Sequence, residues 1–221
     1  MKKLLLAIVY LATFCSVESW GQAAKDDGKS NVMLSVSGEL NSADVWRLEG
    51  ACHWFPIPYV GVGGSLGIWK QYFADVIPKS NNWAVTEDYS KSSNLYVQPS
   101  VVLLSPDFVK GDGWGIHLYG EVGVMINVPY EKVEIGLGPY QYINYDYDYV
   151  SSNKGKFCFL DYKLGLSFKI DNVTLTAGYS YSGLDVYSMR RKMVYDHACF
   201  DTFYPRPKGT HGAFITLSIN L

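Results

Sequence analysis

The chain has 221 residues, of which 48% are hydrophobic, 15% aromatic and only 18% charged. This composition excludes a disordered chain, because so many apolar and aromatic side chains do not stay solvated. A formal net charge of -2 excludes a protein that binds nucleic acid through a basic surface. The unusual features are 18 Tyr and 21 Gly, which the architecture must accommodate.

The first residues have the organisation of a secretory signal. Lys2 and Lys3 precede an apolar stretch from Leu4 to Phe14, and Gly21 and Ala23 supply the small residues of a cleavage site. We therefore predict a signal peptide over residues 1–23 and one domain over residues 24–221. Beyond the signal, no apolar run approaches the roughly 18 residues of a spanning helix, which excludes a helical membrane bundle.

Eight segments of the remaining chain alternate apolar residues with small or polar ones, which is the period of a β-strand. They cover residues 32–40, 46–54, 59–71, 95–103, 114–126, 158–168, 173–181 and 213–221. The stretches between them contain no convincing helical period. The sequence therefore predicts an all-β fold, an eight-stranded antiparallel up-and-down transmembrane β-barrel.

Two hairpins allow the strand register to be predicted. If Glu39 lies opposite Arg47, apolar residues face apolar residues across the pair and the two charges meet on the polar face. A two-residue turn at Asp171-Asn172 would place Lys169 opposite Thr174. Both registers keep like faces together.

Alternation alone does not separate a membrane barrel, apolar outside, from a soluble barrel that is apolar inside. The connections at 56–58, 105–112 and 171–172 are short, whereas those at 73–94, 128–156 and 183–210 are long, and the two kinds alternate. Short turns at one end and long loops at the other are typical of outer-membrane barrels, although the short connection at 41–44 departs from this pattern. Aromatic residues near the strand ends fit interfacial girdles. They are Trp46, Trp54, Trp114, Phe168, Tyr179 and Tyr181.

Stretches such as Pro58-Tyr59-Val60-Gly61-Val62-Gly63 and Leu118-Tyr119-Gly120-Glu121-Val122-Gly123 carry a family resemblance. The chain resembles the small eight-stranded, Ail- and OmpA-like outer-membrane proteins of Gram-negative bacteria, and most of all the Tyr- and Gly-rich barrels of Bacteroidetes. The resemblance implies a place in the bacterial outer membrane, in contact with its lipid and lipopolysaccharide, without a cofactor. It predicts a monomer with a non-enzymatic structural or surface-interaction role. Two alternatives stay open: a soluble, lipocalin-like barrel that binds an apolar ligand, and a lipid A modifying enzyme.

Inward-facing charges should form a polar network, since an eight-stranded barrel is only wide enough for its own side chains. A paired network that fills the lumen is favoured over an ion path. The predicted members are Glu39, Arg47, Glu49, His117, Glu121, Asp161 and Lys163.

The long loops contain the candidates for external contact with a protein or glycan. Alternating Tyr residues suit a ridge of rigid amphipathic rings, and a basic run suits lipopolysaccharide phosphates. These candidates are Tyr140, Tyr142, Tyr145, Tyr147, Tyr149, Arg190, Arg191 and Lys192. Cys158 and Cys199 are a possible disulfide between the barrel rim and the last loop. No metal site is predicted, because Asp146 and Asp148 fall short of the ligands that Ca²⁺ needs.

Overall fold

The computed structural model describes residues 31–72, 77–86, 94–138, 146–206 and 208–221. The predicted signal peptide and Tyr140, Tyr142 and Tyr145 lie outside these residues. In chain order the strands are β1 (Val32–Asn41), β2 (Val45–Ile57), β3 (Val60–Gln71), β4 (Trp83–Val85), β5 (Leu95–Leu104), β6 (Val109–Gly111), β7 (Trp114–Asn127), β8 (Glu131–Leu137), β9 (Tyr147–Ser152), β10 (Cys158–Ile170), β11 (Val173–Ser182), β12 (Val194–Tyr195), β13 (Ala198–Cys199) and β14 (Thr210–Asn220).

Eight of these strands close into an antiparallel barrel, as the sequence predicts. The order is β1-β2-β3-β5-β7-β10-β11-β14, and β14 pairs with β1 to close the ring. Both predicted registers are confirmed, because Glu39 lies opposite Arg47 and Lys169 lies opposite Thr174. In the turn between β10 and β11, the backbone of Asp171 adopts a left-handed conformation with a φ of 50°.

The two faces of the barrel wall have opposite chemistry. Apolar side chains cover the outside, where Leu66, Leu164 and Ile215 are 69%, 64% and 62% exposed. Polar side chains point into the lumen, where Arg47 and Asp161 are 3% and 1% exposed. A continuous exposed apolar belt of this kind requires lipid around it, so a soluble barrel with an apolar interior is excluded. Among the described residues, no helix is long and apolar enough to cross a membrane.

Aromatic side chains mark both edges of the apolar belt. Trp54, Trp114 and Phe168 lie outward at the short-turn end, and the rings of Trp114 and Phe168 are 5.9 Å apart. Trp46, at the start of β2, and Tyr179, towards the end of β11, lie near the loop end. This spacing is that of two interfacial girdles.

The long loops fold into additional structure that the sequence did not predict. Strands β4, β8 and β9 form a separate three-stranded sheet, and β12 pairs with β13. Short 3-10 turns at Arg190–Lys192 and Phe200–Thr202 complete the last loop. We call the described residues 77–86, 128–138, 146–157 and 183–206 the cap.

A hydrophobic core joins the cap to the barrel. Trp83 lies at its centre, stacked on Phe200 at 5.8 Å and edge-on to Tyr195 at 5.5 Å between ring centroids. The remaining core members come from both parts. They include Val133, Ile135, Leu184, Val186, Met193 and Tyr204 of the cap and Val45, Trp69, Tyr96, Met125 and Phe159 of the barrel. The cap core therefore closes the loop end of the lumen.

Candidate functional site

Two cations hold four carboxylates together in the middle of the lumen. Arg47 donates from Nη1 to Asp161 Oδ1 at 2.9 Å and from Nη2 to Glu39. Lys163 contacts Glu49 and lies 3.5 Å from Glu121 Oε2. We call these six residues the lumen network. Each is at most 6% exposed, so the charges are paired away from solvent, as a low-dielectric interior requires.

Neutral side chains add hydrogen bonds to the lumen network. The hydroxyl of Tyr96 donates to Glu49 Oε2 at 2.7 Å, and that of Tyr119 donates to Glu121 Oε2 at 2.8 Å. Gln98 Nε2 lies 3.4 Å from Asp161 Oδ2. The ring of Tyr96 has room to reach Glu49 because Gly67 has no side chain, since a Cβ there would overlap the ring. These ion pairs and hydrogen bonds fill the middle of the barrel.

His117 lies apart from the other predicted members of the network. It is placed nearer the short-turn end, where its Nδ1 is 3.3 Å from Asp107 Oδ1. Asp107 reaches it because residues 105–111 fold back along the start of β7, with Phe108 N–H donating to the Ile116 carbonyl at 3.0 Å. A Cβ at Gly115 would lie 2.7 Å from the Asp107 carboxylate, so this glycine gives the carboxylate its room.

Ser167 faces His117 directly across the β7–β10 pair. Its hydroxyl shares a hydrogen bond of 2.7 Å with that of Thr176. A nucleophilic triad requires the serine hydroxyl to bond the histidine. The Ser167 hydroxyl bonds Thr176 instead of His117, so the described geometry is not that of an activated serine nucleophile.

The basic run in the last loop is largely buried, contrary to its predicted role. Arg190 Nε donates to Glu131 Oε1 at 2.5 Å, and Arg191 pairs with Asp185 and donates to the Pro205 carbonyl at 2.6 Å. Burial of its side chain raises the pKa of Glu131, and the Arg190 guanidinium opposes that rise. Arg190 and Arg191 therefore hold the cap together and do not present charge to lipopolysaccharide.

Lys192 is exposed beside them. It is the one predicted basic candidate in this run that the structure leaves accessible.

The described part of the Tyr-rich segment lies in the cap sheet. Tyr147 and Tyr149 of β9 are 46% and 41% exposed. The Tyr149 hydroxyl donates to Glu134 Oε2 at 2.9 Å, and Lys132 Nζ lies 4.0 Å from the centre of its ring. These contacts fix the second ring, while the first remains open on the cap surface.

The proposed disulfide is not formed, because Cys158 and Cys199 are both free thiols. Cys158 precedes inward-facing Phe159 at the start of β10 and so lies towards the outside of the barrel, whereas Cys199 is exposed in β13 of the cap. The described residues contain no group of three or more His, Cys, Asp or Glu side chains arranged to hold a metal ion.

Comparison with known proteins returns structures and no sequence relatives. No protein-family model matches the chain, and no curated protein matches it. Its fold is similar to the N-terminal β-barrel domain of Pseudomonas aeruginosa OprF, with 14% identity and a TM-score of 0.43 over 87% of this chain and 99% of that one. Neisserial surface protein A matches 88% of this chain over its whole length, with 14% identity and a TM-score of 0.42.

The outer membrane enzyme PagL matches 86% of this chain and 99% of its own, with 11% identity and a TM-score of 0.37. The chain is an outer-membrane-type β-barrel. That fold follows from its own closed ring of eight strands and its apolar belt. A shared barrel does not fix an activity, which depends on the side chains of the site.

Several residues of these sites escaped prediction. Tyr96 and Gln98 carry the same alternation as their neighbours, and that alternation was the signal that could have placed them in the lumen. Asp107 lies in a short connection whose sequence gives no indication that it folds back onto β7. The partners of the buried arginines also escaped prediction, because Glu131 is 59 positions before Arg190 and nothing in the sequence marks Asp185, six positions before Arg191, as a partner.

Proposed function

We propose that this chain is a non-enzymatic outer-membrane protein that presents a folded cap at the cell surface to an external partner. The observation that carries the proposal is the division of the molecule into a filled barrel and an ordered, partly aromatic cap. The three long loops share one end of the barrel with the short β1–β2 turn, and the other short connections share the opposite end. In outer-membrane barrels the long loops are extracellular, and this supports an extracellular position for the cap.

A channel function conflicts with the interior of the barrel. The lumen network crosses the middle, and the cap core closes the loop end with the fully buried side chains of Trp83, Phe159 and Ile135. A solute would have to break paired charges and then displace a packed hydrophobic core. We therefore assign the barrel the role of an anchor.

An enzymatic role at the outer rim also lacks the necessary groups. His211 lies there, exposed, and its Nδ1 bonds the Tyr179 hydroxyl. Within the part of the chain that the structure describes, no carboxylate forms an ion pair with it. Acyl transfer to or from a lipid would need a histidine that is oriented by a carboxylate and bonded to a nucleophile.

The chemistry of the cap surface favours a carbohydrate partner. Tyr147 offers an open aromatic ring, and Tyr149 lies on the same face of β9 with the Glu134 carboxylate, which accepts a hydrogen bond from its hydroxyl at 2.9 Å. Flat rings that pack against apolar sugar faces, together with carboxylates that accept hydroxyl hydrogen bonds, form a surface suited to a glycan.

A glycan array tests this proposal with the full chain in lipid nanodiscs. We expect retention of defined glycans by the wild type and its loss in Tyr147→Ser. The matched control is Tyr59→Ser, since Tyr59 is equally exposed, at 47%, at the opposite end of the barrel. Equal retention by wild type and Tyr147→Ser, or no retention of any glycan by the wild type, would overturn the proposal.

A further inference from the structure

The short-turn end of the lumen contains a cavity of about 170 Å³ that none of the functions above uses. Strand ends from β1, β5, β7, β10, β11 and β14 line it. Tyr119 forms its inner wall, because its hydroxyl bonds Glu121 of the lumen network, which closes the barrel beyond it. The cavity is therefore a blind pocket, which opens on the side of the membrane opposite the cap.

The wall of this pocket is rich in hydrogen-bonding groups at fixed positions. All but Ser105, which directly follows β5, lie on barrel strands, and most of them are buried. They are Ser105, Ser167, Thr174, Thr176, Ser218 and Asn220. Ser167, Thr176 and Ser218 are at most 2% exposed, so their hydroxyls are held by the rigid wall and not by mobile loops. Such preorganised donors and acceptors are the usual lining of a small-molecule site.

Two opposite charges stand at the entrance. Lys169 lies directly across from Gly115, and the Asp107 carboxylate lies against that same glycine. Lys169 forms no ion pair within the described ranges, although each cation of the lumen network is paired. Asp107 is held by His117 at 3.3 Å, and its side chain remains 31% exposed. The entrance thus presents an ammonium and a partly open carboxylate that form no ion pair with each other.

We propose that this pocket binds the zwitterionic group of a small α-amino acid, either free or as the end of a peptide. The Lys169 ammonium would bind the ligand carboxylate, and the Asp107 carboxylate would bind the ligand ammonium, each through a charge-assisted hydrogen bond. His117 is a positioning residue, because its ring fixes Asp107. The cavity is close to the volume of about 150 Å³ that holds a benzene molecule, so it accepts roughly six to ten heavy atoms.

Isothermal titration calorimetry of the full chain in nanodiscs tests the proposal with L-alanine as the probe. We expect binding of L-alanine, and a loss of about ten- to a hundredfold when either charge is removed, as in N-acetyl-alanine or alanine amide. L-Tryptophan should not bind, because it exceeds the cavity. N-acetyl-alanine binding as well as L-alanine would show a simple anion site and overturn the zwitterion assignment.

Variants separate the two charges. Lys169→Met should abolish the preference for a free carboxylate, and Asp107→Asn should abolish the preference for a free ammonium. The matched control is Lys70→Met, because Lys70 is exposed and lies at the end of β3 near the loops, away from the pocket. This variant should bind L-alanine as the wild type does. The shift in gel mobility on heating verifies that each variant is folded. No heat from L-alanine with folded wild-type protein would refute the proposal, and this result is independent of any result on the cap.

Discussion

Loss of the Arg47 side chain should destabilise the barrel strongly. This side chain is 3% exposed and joins Glu39 to Asp161 across the lumen. Arg47→Met would leave two carboxylates buried without their cation, and breaking a buried pair in this way costs about 3–5 kcal/mol. That corresponds to a decrease of roughly two to three and a half powers of ten in the folding equilibrium constant.

Urea unfolding in lipid vesicles, followed by tryptophan fluorescence, measures this loss. The combined variant Glu39→Gln, Arg47→Met and Asp161→Asn should recover most of it, because no unpaired charge then remains. Arg206→Met is the matched control, since Arg206 is exposed and pairs with Asp201 at 2.6 Å. Its loss should stay below about 1 kcal/mol. An Arg47→Met variant as stable as Arg206→Met would refute the structural role of the lumen network.

Three further predictions concern the cap and the thiols of Cys158 and Cys199. Arg190→Met removes the group that opposes the raised pKa of Glu131, so this pKa should rise further. A buried carboxyl with a raised pKa destabilises the fold only when it is ionised. In Arg190→Met, protection of β8 from hydrogen exchange should therefore recover as the pH falls through the pKa of Glu131. Equal protection at high and low pH would contradict this. Trp83→Ala should cost about 3–5 kcal/mol within the cap core, which would admit protease to the cap while the barrel keeps its heat-dependent gel mobility. Uncleaved cap would count against the packing described. A non-reduced digest should yield Cys158 and Cys199 separately alkylated, and a linked peptide would disprove the free thiols.

The barrel could be predicted because its information is local and repeated. The alternation within each strand shows which residues share a face. A pair of opposite charges such as Glu39 and Arg47 indicates the register between two neighbouring strands. The lengths of the connections indicated that the apolar face points outwards. Eight consistent segments therefore predicted a closed fold without any contact between distant residues being known.

The cap could not be predicted in the same way. β4 has only the three residues Trp83–Val85, which is too short to show a period, and its partner β8 lies far along the chain. The basic run at Arg190 and Arg191 is typical of a solvated surface unless the positions of Glu131 and Asp185 are known. Tertiary contacts of this kind turned a predicted external binding site into part of the cap interior.

The barrel presents its apolar face to lipid and its polar face to a filled lumen. A nitroxide scan of residues 213–219 of β14, in a cysteine-free background reconstituted in vesicles, tests this arrangement most directly. Labels at Ala213, Ile215, Leu217 and Ile219 should relax with oxygen and not with a water-soluble nickel complex. Labels at Phe214 and Thr216 should be reached by neither. Nickel access at the odd positions, with the even positions buried, would contradict the account and indicate a barrel surrounded by water.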